Sequence, residues 1–377
     1  MNLQNLSTPA ALLDGTRLQH NIVRMQSRIS ALGARLRPHV KTAKCLPVTE
    51  LQRVAGAQGI TVSTLKEAEV FFDAGITDIL YAVCISPPKL AQARALRERG
   101  CALTVVVDSV AAAQAIVQVV AVSGHAFDVM IEIDNDGHRA GVKPESDLLL
   151  DVGRTLHGGG AVLKGVMTHA GASYECRTEA ALQAMAEQER SRCVRAAVRL
   201  RAAGLPCPEV SVGSTPTALS ALNLEGVTEV RAGVYVFNDL VMHGVGVCST
   251  DEIALSVLCT VIGHQEEKGW VLVDAGWMAM SRDRGVPDLP LDHGYGAVCD
   301  ASGALIDGFI MGSANQEHGI LCWRDGRADP TLSTRWPVGT RLRVLPNHAC
   351  ATAAQFPHYE VVAADGSLQQ WPRFYGW

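Results

Sequence analysis

One pattern constrains this 377-residue chain more than any other. An apolar, β-branched run followed by a helical stretch recurs eight times over the first two thirds. The runs are 36–42, 59–64, 78–83, 102–108, 127–134, 162–169, 209–213 and 229–236. Helical segments lie between them, among them 49–58, 65–74, 88–98 and 178–203. Strands alternating with helices at this spacing form parallel βαβ units, and eight such units close a barrel. A doubly wound open sheet is the alternative, but it has fewer strands and opens on a glycine-rich turn that this chain lacks. A helix over 16–32 precedes the first strand, with Asp14 or Thr16 as its cap and Gly33 as its stop.

After about Asn238 the helical periodicity disappears. Short apolar segments at 253–263, 270–274, 297–299, 341–345 and 359–362 are separated by turn signals. The fold class predicted is α/β: a (β/α)8 TIM-like barrel over 14–240 and a mostly β carboxyl-terminal domain over 241–377. The segment 7–13 adds a strand to the second domain, so that domain takes in 1–13.

Composition narrows the partners. With 33 basic and 38 acidic side chains the formal charge is −5, so the chain has no basic field for nucleic acid or an anionic membrane. No apolar run approaches the roughly 18 residues that span a bilayer, and Met1-Asn2-Leu3-Gln4-Asn5 lacks the features of a signal peptide. Eleven cysteines without a CxxC pair read as reduced thiols in the cytoplasm.

Barrel enzymes carry their chemistry at the carboxyl ends of the strands. The first run ends Arg37-Pro38-His39-Val40-Lys41-Thr42. A lysine inside an apolar strand is costly to bury as a cation, and desolvation frees its amine as a nucleophile. Taken alone, Lys41 reads rather as a lysine reaching solvent at the barrel rim. The fifth run leads into Gly137-His138-Arg139-Ala140-Gly141, and the sixth ends Thr168-His169-Ala170-Gly171 with Tyr174 beyond. The seventh ends Gly213-Ser214-Thr215-Pro216 before a helix, and the eighth reads Arg231-Ala232-Gly233-Val234-Tyr235. The last two loops commonly hold phosphate in barrels. Here they offer backbone N–H groups, two hydroxyls, a helix N-terminus and Gly233 for close approach, although Ser214 or Thr215 also suits an ordinary cap. The conjunction of a lysine amine, a phosphate cup, Arg139 and His169 is what pyridoxal phosphate requires.

These five motifs, in this order, resemble the alanine-racemase-like, fold-type-III pyridoxal phosphate enzymes. The resemblance runs over essentially the whole chain and is greatest to the branch of D-threonine aldolases and D-serine dehydratases. It implies that Lys41 is the Schiff-base lysine, that Arg139 contacts the cofactor's phenolic oxygen, that His169 lies against the ring and that Tyr174 sits near the pyridine nitrogen. It implies phosphate binding by Gly213, Ser214, Thr215, Gly233 and Tyr235, and a homodimer.

The second domain adds Asn347-His348-Ala349-Cys350 after the segment 341–345. Histidine and cysteine at i and i+2 of an extended segment point the same way. Imidazole plus thiolate suits zinc or a similar divalent ion with coordination positions left open. Alone, the motif better fits a buried histidine beside an inert cysteine, and it is the resemblance that reverses this reading. By the resemblance, dehydratases of this branch carry His-x-Cys here, binding zinc or manganese, whereas the aldolases carry His-x-Asp. Gln316-Glu317-His318-Gly319 fits either a place near the metal or a polar turn. Residues 277–284 fit either part of the active-site wall across a dimer interface or a solvated loop.

The implied activity is dehydration of D-β-hydroxy amino acids: D-threo-3-hydroxyaspartate to oxaloacetate and ammonia, or D-serine to pyruvate and ammonia. Lys41 serves as the base and the metal eases departure of hydroxide. The alternatives are aldol cleavage of D-threonine to glycine and acetaldehyde, and a non-catalytic pyridoxal phosphate protein. Racemisation ranks low because no second base can be placed.

Overall fold

The computed structural model of the chain describes residues 3–286 and 289–377. Met1 and Asn2 of the stretch read for a signal peptide, and 287–288 of the expected second domain, lie outside the described residues. After a single helical turn, Leu3–Asn5, come β1 (Ala10–Asp14) and the helix Gly15–Ala31, for which the Asp14 carboxylate accepts the N–H groups of Thr16 and Arg17. Eight parallel strands follow: β2 (Arg35–Leu36), β3 (Ile60–Val62), β4 (Asp78–Cys84), β5 (Ala102–Val107), β6 (Asp128–Ile133), β7 (Val162–Thr168), β8 (Glu209–Val212) and β9 (Glu229–Val230). Their order in the sheet is β2-β9-β8-β7-β6-β5-β4-β3. A parallel bridge between His39 and Thr61 joins the two edges. Val40 N–H donates to Thr61 O at 2.9 Å, and Thr61 N–H donates to Pro38 O at 2.8 Å. The eight βα units therefore close the predicted (β/α)8 barrel.

Local chemistry explains the helices of that ring. Thr64, Ser109 and Thr178 each accept an N–H of the first turn that follows, and Gly124, at φ +70°, ends the helix Val110–Ser123. Inside the barrel Leu80, Val106, Met130 and Met167 form one buried cluster. The barrel unit comprises Val23–Gly233 with Gly376–Trp377.

The other compact unit takes the chain up to Ile22 together with Val234–Tyr375. It holds β1 and eight further strands: β10 (Leu255–Gln265), β11 (Trp270–Val273), β12 (Gly296–Asp300), β13 (Leu305–Ala314), β14 (Gly319–Trp323), β15 (Arg341–Pro346), β16 (His358–Val362) and β17 (Leu368–Pro372). The order β11-β14-β13-β12-β15-β10, with β11 also paired to β10, makes a closed antiparallel barrel. β1 extends it, antiparallel to β10 and parallel to β16. Leu240, Ile253, Ala297, Cys299 and Leu345 form part of this unit's core. None of the eleven cysteines forms a disulfide, and among the described residues no helix is long and apolar enough to cross a membrane.

Candidate active site

Lys41 does not lie in a strand. β2 stops at Leu36, Pro38 has no N–H to continue a ladder, and His39 makes only an isolated bridge before the chain turns through Lys41. The lysine is accordingly exposed, not buried among apolar side chains. Its neighbour is engaged elsewhere: Lys44 Nζ pairs with the buried Glu67 Oε1 at 3.2 Å. Lys41 lies exposed on this turn, while Lys44 is held by an ion pair.

Positive charge from Lys41, Arg139 and Arg231 converges on two histidines of the barrel. Burial, then Lys41 and Arg231, hold His39 well below its ordinary pKa. Burial, then Arg139, lower His169 to about 3. Both rings are therefore neutral near pH 7. His169 Nδ1–H donates to Gly213 O at 2.9 Å, which leaves Nε2 as an acceptor. The Tyr174 ring, on the turn Gly171–Glu175, stands 6.2 Å from the His169 ring at a tilt of 44°. Arg139 Nη2 lies 3.6 Å from Glu132 Oε1. The other oxygen of Glu132 accepts from Cys84 Sγ at 3.2 Å. Burial and that carboxylate push the Cys84 thiol far up, so it stays protonated and donates. Glu132, on β6, thus orients Arg139 from within the barrel.

The loops after β8 and β9 are built by close approach. Gly213 has φ +143°, and a Cβ there would collide with the Arg231 carbonyl oxygen. A Cβ on Gly233 would meet His39 O at 3.0 Å and His39 Cβ at 3.2 Å. Two N–H groups expected to face an anion are already taken. Gly213 N–H donates to Glu189 Oε1 at 3.0 Å, and Ser214 N–H donates to Thr217 Oγ1 at 3.1 Å. The cause is a capping box: Ser214 caps the helix Thr215–Ser220, and its hydroxyl accepts Thr217 N–H while pairing with Ser173 Oγ at 2.9 Å. Thr215 opens that helix and is buried. Tyr235 is also buried, on the turn Val234–Val236 and not on a strand, because β9 ends at Val230.

Glu189 is the residue that sequence reasoning missed. Its carboxylate accepts Ala170 N–H at 3.0 Å, Gly213 N–H at 3.0 Å and the Thr217 hydroxyl at 2.6 Å. It ties the turn carrying His169 to the loop carrying Gly213 and Ser214. Burial raises its pKa, against the pull of these donors. A signal was present: Glu189 sits on the buried stripe Leu182, Ala186, Glu189, Cys193 and Ala197 of the helix Glu179–Ala202, where an acid needs a specific reason to be.

The set fits pyridoxal phosphate. An exposed amine, an arginine held by a carboxylate and a neutral imidazole surround a buried polar atom: among the described residues, His39 Nδ1 has no hydrogen-bond partner.

In the β-rich unit the His-x-Cys pair does not lie on an extended segment. β15 ends at Pro346, His348 is the extended N-cap of a short helix, and Cys350 is inside that helix, Ala349–Ala353. The strand breaks because its alternation ends in a run of small residues, Ala349 to Ala354, that favours helix. The two side chains still face each other, with Cys350 within hydrogen-bonding reach of the His348 ring. His348 Nδ1–H donates to Asp283 Oδ2 at 2.6 Å. Asp239, buried, accepts Ala349 N–H and Met242 N–H, each at 2.9 Å. An imidazole and a thiol this close fit a borderline-soft divalent ion. Glu317 and His318 sit exposed on the tight connection between β13 and β14, where Asn315 N–H donates to His318 O at 2.8 Å. The stretch 277–284 begins with the short helix Trp277–Met280 and carries Asp283.

Known proteins match both units. The family model "Alanine racemase, N-terminal domain" matches residues 13–240, and "Putative serine dehydratase domain" matches 254–362. The chain is 64% identical to D-threo-3-hydroxyaspartate dehydratase of Delftia sp. (strain HT23), covering 100% of this chain and 99% of that one. The solved structure of the Delftia protein superposes with a TM-score of 0.99 over all of both chains. The D-serine dehydratase of Dictyostelium discoideum is 29% identical over 97% of this chain and 96% of its own length. The crystal structure of D-threonine aldolase from Filomicrobium marinum, 25% identical, superposes with a TM-score of 0.82, covering 98% of this chain and 96% of that one. An eight-stranded parallel barrel, a partner β barrel and these matches agree with the five motifs read from the sequence, and the chain belongs to the alanine-racemase-like, fold-type-III pyridoxal phosphate enzymes, in the branch of the D-hydroxy amino acid dehydratases.

Proposed function

We propose that the chain dehydrates D-β-hydroxy amino acids, converting D-threo-3-hydroxyaspartate to oxaloacetate and ammonia and D-serine to pyruvate and ammonia. The observation that carries this reading is the 64% identity to D-threo-3-hydroxyaspartate dehydratase over the whole chain. When bound, pyridoxal phosphate supplies an electron sink for the substrate Cα, and a divalent cation supplies a Lewis acid for the β-hydroxyl. Lys41 Nζ would hold the cofactor aldehyde and, as a free amine, take the Cα proton. Arg139, oriented by Glu132, would hold the phenolic oxygen, with His169 against the ring and Tyr174 near its nitrogen. His169 is neutral, so it packs without adding charge. The phosphate would lie on the hydroxyls of Ser214, Thr215 and Tyr235, with Gly213 and Gly233 giving space. His348 and Cys350 would hold zinc or manganese. A homodimer and a cytoplasmic setting belong to the same reading, and the absence of disulfides among eleven cysteines supports a reducing compartment.

Aldol cleavage is the second reading, favoured by the likeness to the Filomicrobium D-threonine aldolase. Cys350, in place of an acidic residue, supports dehydration instead. A panel of D- and L-hydroxy amino acids, run with and without chelator, separates the readings. The D-isomers of 3-hydroxyaspartate and serine should yield 2-oxo acids, the L-isomers none, and chelator should stop the reaction. Glycine and acetaldehyde from D-threonine as the dominant activity would overturn the proposal.

A further inference from the structure

We infer that Asp283 is a positioning residue for the metal centre, turning the His348 ring so that Nε2 is the nitrogen presented beside Cys350. The inference rests on the reading that His348 and Cys350 hold a divalent ion. An imidazole offers two nitrogens, and whichever one is hydrogen-bonded to an acceptor leaves the other as the ligand. Here Nδ1–H donates to Asp283 Oδ2 at 2.6 Å, the short distance of a charge-assisted bond.

The backbone around the pair is fixed independently. Val241 N–H donates to Asn347 O at 3.2 Å, and Asn347 Nδ2 donates to Gly294 O at 2.8 Å. Ala349 N–H is held by Asp239, and the Thr352 hydroxyl donates to Met280 O at 2.7 Å. These bonds locate the chain on both sides of His348, yet none sets the rotation of its ring. Asp283 does. The carboxylate is itself secured, since Gly285 N–H donates to Asp283 Oδ1 at 2.8 Å and Asp283 N–H donates to Ser281 Oγ at 3.1 Å. Gly285, at φ +82°, makes this turn possible, because a Cβ there would collide with the Val241 side chain. A residue 65 positions away in sequence thus governs which face of the imidazole is available.

The test uses the full-length protein isolated with its cofactor, stripped of metal with a chelator and titrated with zinc against a chromophoric competitor. Asp283→Ala should weaken zinc binding about 10–100-fold, with the melting point of the metal-free protein and the cofactor absorbance unchanged. Asp283→Asn, whose amide oxygen still accepts Nδ1–H, should recover most of the affinity. Asp283→Ser replaces Ala if the loop unfolds, because its hydroxyl can accept Gly285 N–H but cannot reach His348. Cobalt substitution gives a second readout: the thiolate-to-cobalt band should persist in Asp283→Ala but shift as the imidazole turns. If Asp283→Ala and Asp283→Ser bind zinc like wild type while His348→Ala and Cys350→Ala lose it, Asp283 has no positioning role. If His348→Ala and Cys350→Ala also bind like wild type, the metal-centre reading itself fails.

Discussion

Glu189→Ala removes the acceptor of three hydrogen bonds at once. Two of the donors are buried backbone N–H groups, of Ala170 and Gly213, and each costs about 1–3 kcal/mol when left unpaired. The third loses less, because the Thr217 hydroxyl keeps Ser214 Oγ at 3.0 Å. Against this, wild type carries the cost of a buried carboxyl, visible in its raised pKa, and the variant does not. The net expectation is a loss of about 3 kcal/mol, or roughly 6–12 °C in the melting point of a unit the size of the barrel. Since Glu189 anchors both the His169 turn and the Gly213 loop, pyridoxal phosphate affinity should fall with it. Glu189→Gln keeps an oxygen for both N–H groups and an amide for Thr217, so it should lie within about 1 kcal/mol of wild type. Thermal melts and cofactor titrations of the two variants provide the assay. An Ala variant that melts within about 2 °C of wild type, or a Gln variant as damaged as Ala, would show that Glu189 does not tie the two segments together.

Three further outcomes are expected. Lys41→Ala should lower turnover by roughly 10³-fold or more and abolish borohydride fixation of the cofactor at that position; label found on Lys44 would contradict the assignment. Gly213→Ala places a side chain at φ +143° against the Arg231 carbonyl, a strain of about 1–3 kcal/mol that should displace the loop and weaken cofactor binding, whereas an unchanged dissociation constant would put the phosphate elsewhere. His169 has a folded pKa of about 3, below its ordinary value, so its contribution to stability is full above about pH 6.5 and is lost as pH falls towards 3. The unfolding free energy of cofactor-free protein, taken from urea titrations, should drop over that window with a slope of up to about 1.4 kcal/mol per pH unit from this group, and His169→Gln should flatten part of the drop; identical profiles would show that His169 does not titrate there.

What could be read from the sequence was what neighbours in sequence determine. The strand ends at Ile133, Thr168 and Val212, and the turns after them that carry Arg139, His169 and 213–216, are legible because each motif holds its own strand end and turn. The run 36–42 looks like one strand, but β2 ends at Leu36, since β-branched residues favour extension while Pro38 removes a ladder donor and the chain turns through Lys41. β13 and β14 carry no clear strand signal in the sequence. β13 carries Asp307, Gly312 and Ser313 at exposed positions and a half-buried Gly308 at φ +72°, and it shifts register against β14 between Met311 and Ser313, so its alternation is broken. Glu189 showed only as an acid out of place on an apolar stripe, and its three donors come from segments that the fold brings together. Asp283 shows in the sequence only as one member of the 277–284 stretch, because its partner, His348, is set by where two distant loops of the β barrel meet.

The central claim is that the bond broken is the β carbon–oxygen bond and not the Cα–Cβ bond. It is tested by incubating the cofactor- and metal-replete enzyme with D-threo-3-hydroxyaspartate and quantifying all products in one run. Dehydration predicts oxaloacetate and ammonia in equal amounts, with no glyoxylate; glycine and glyoxylate in equal amounts would contradict it.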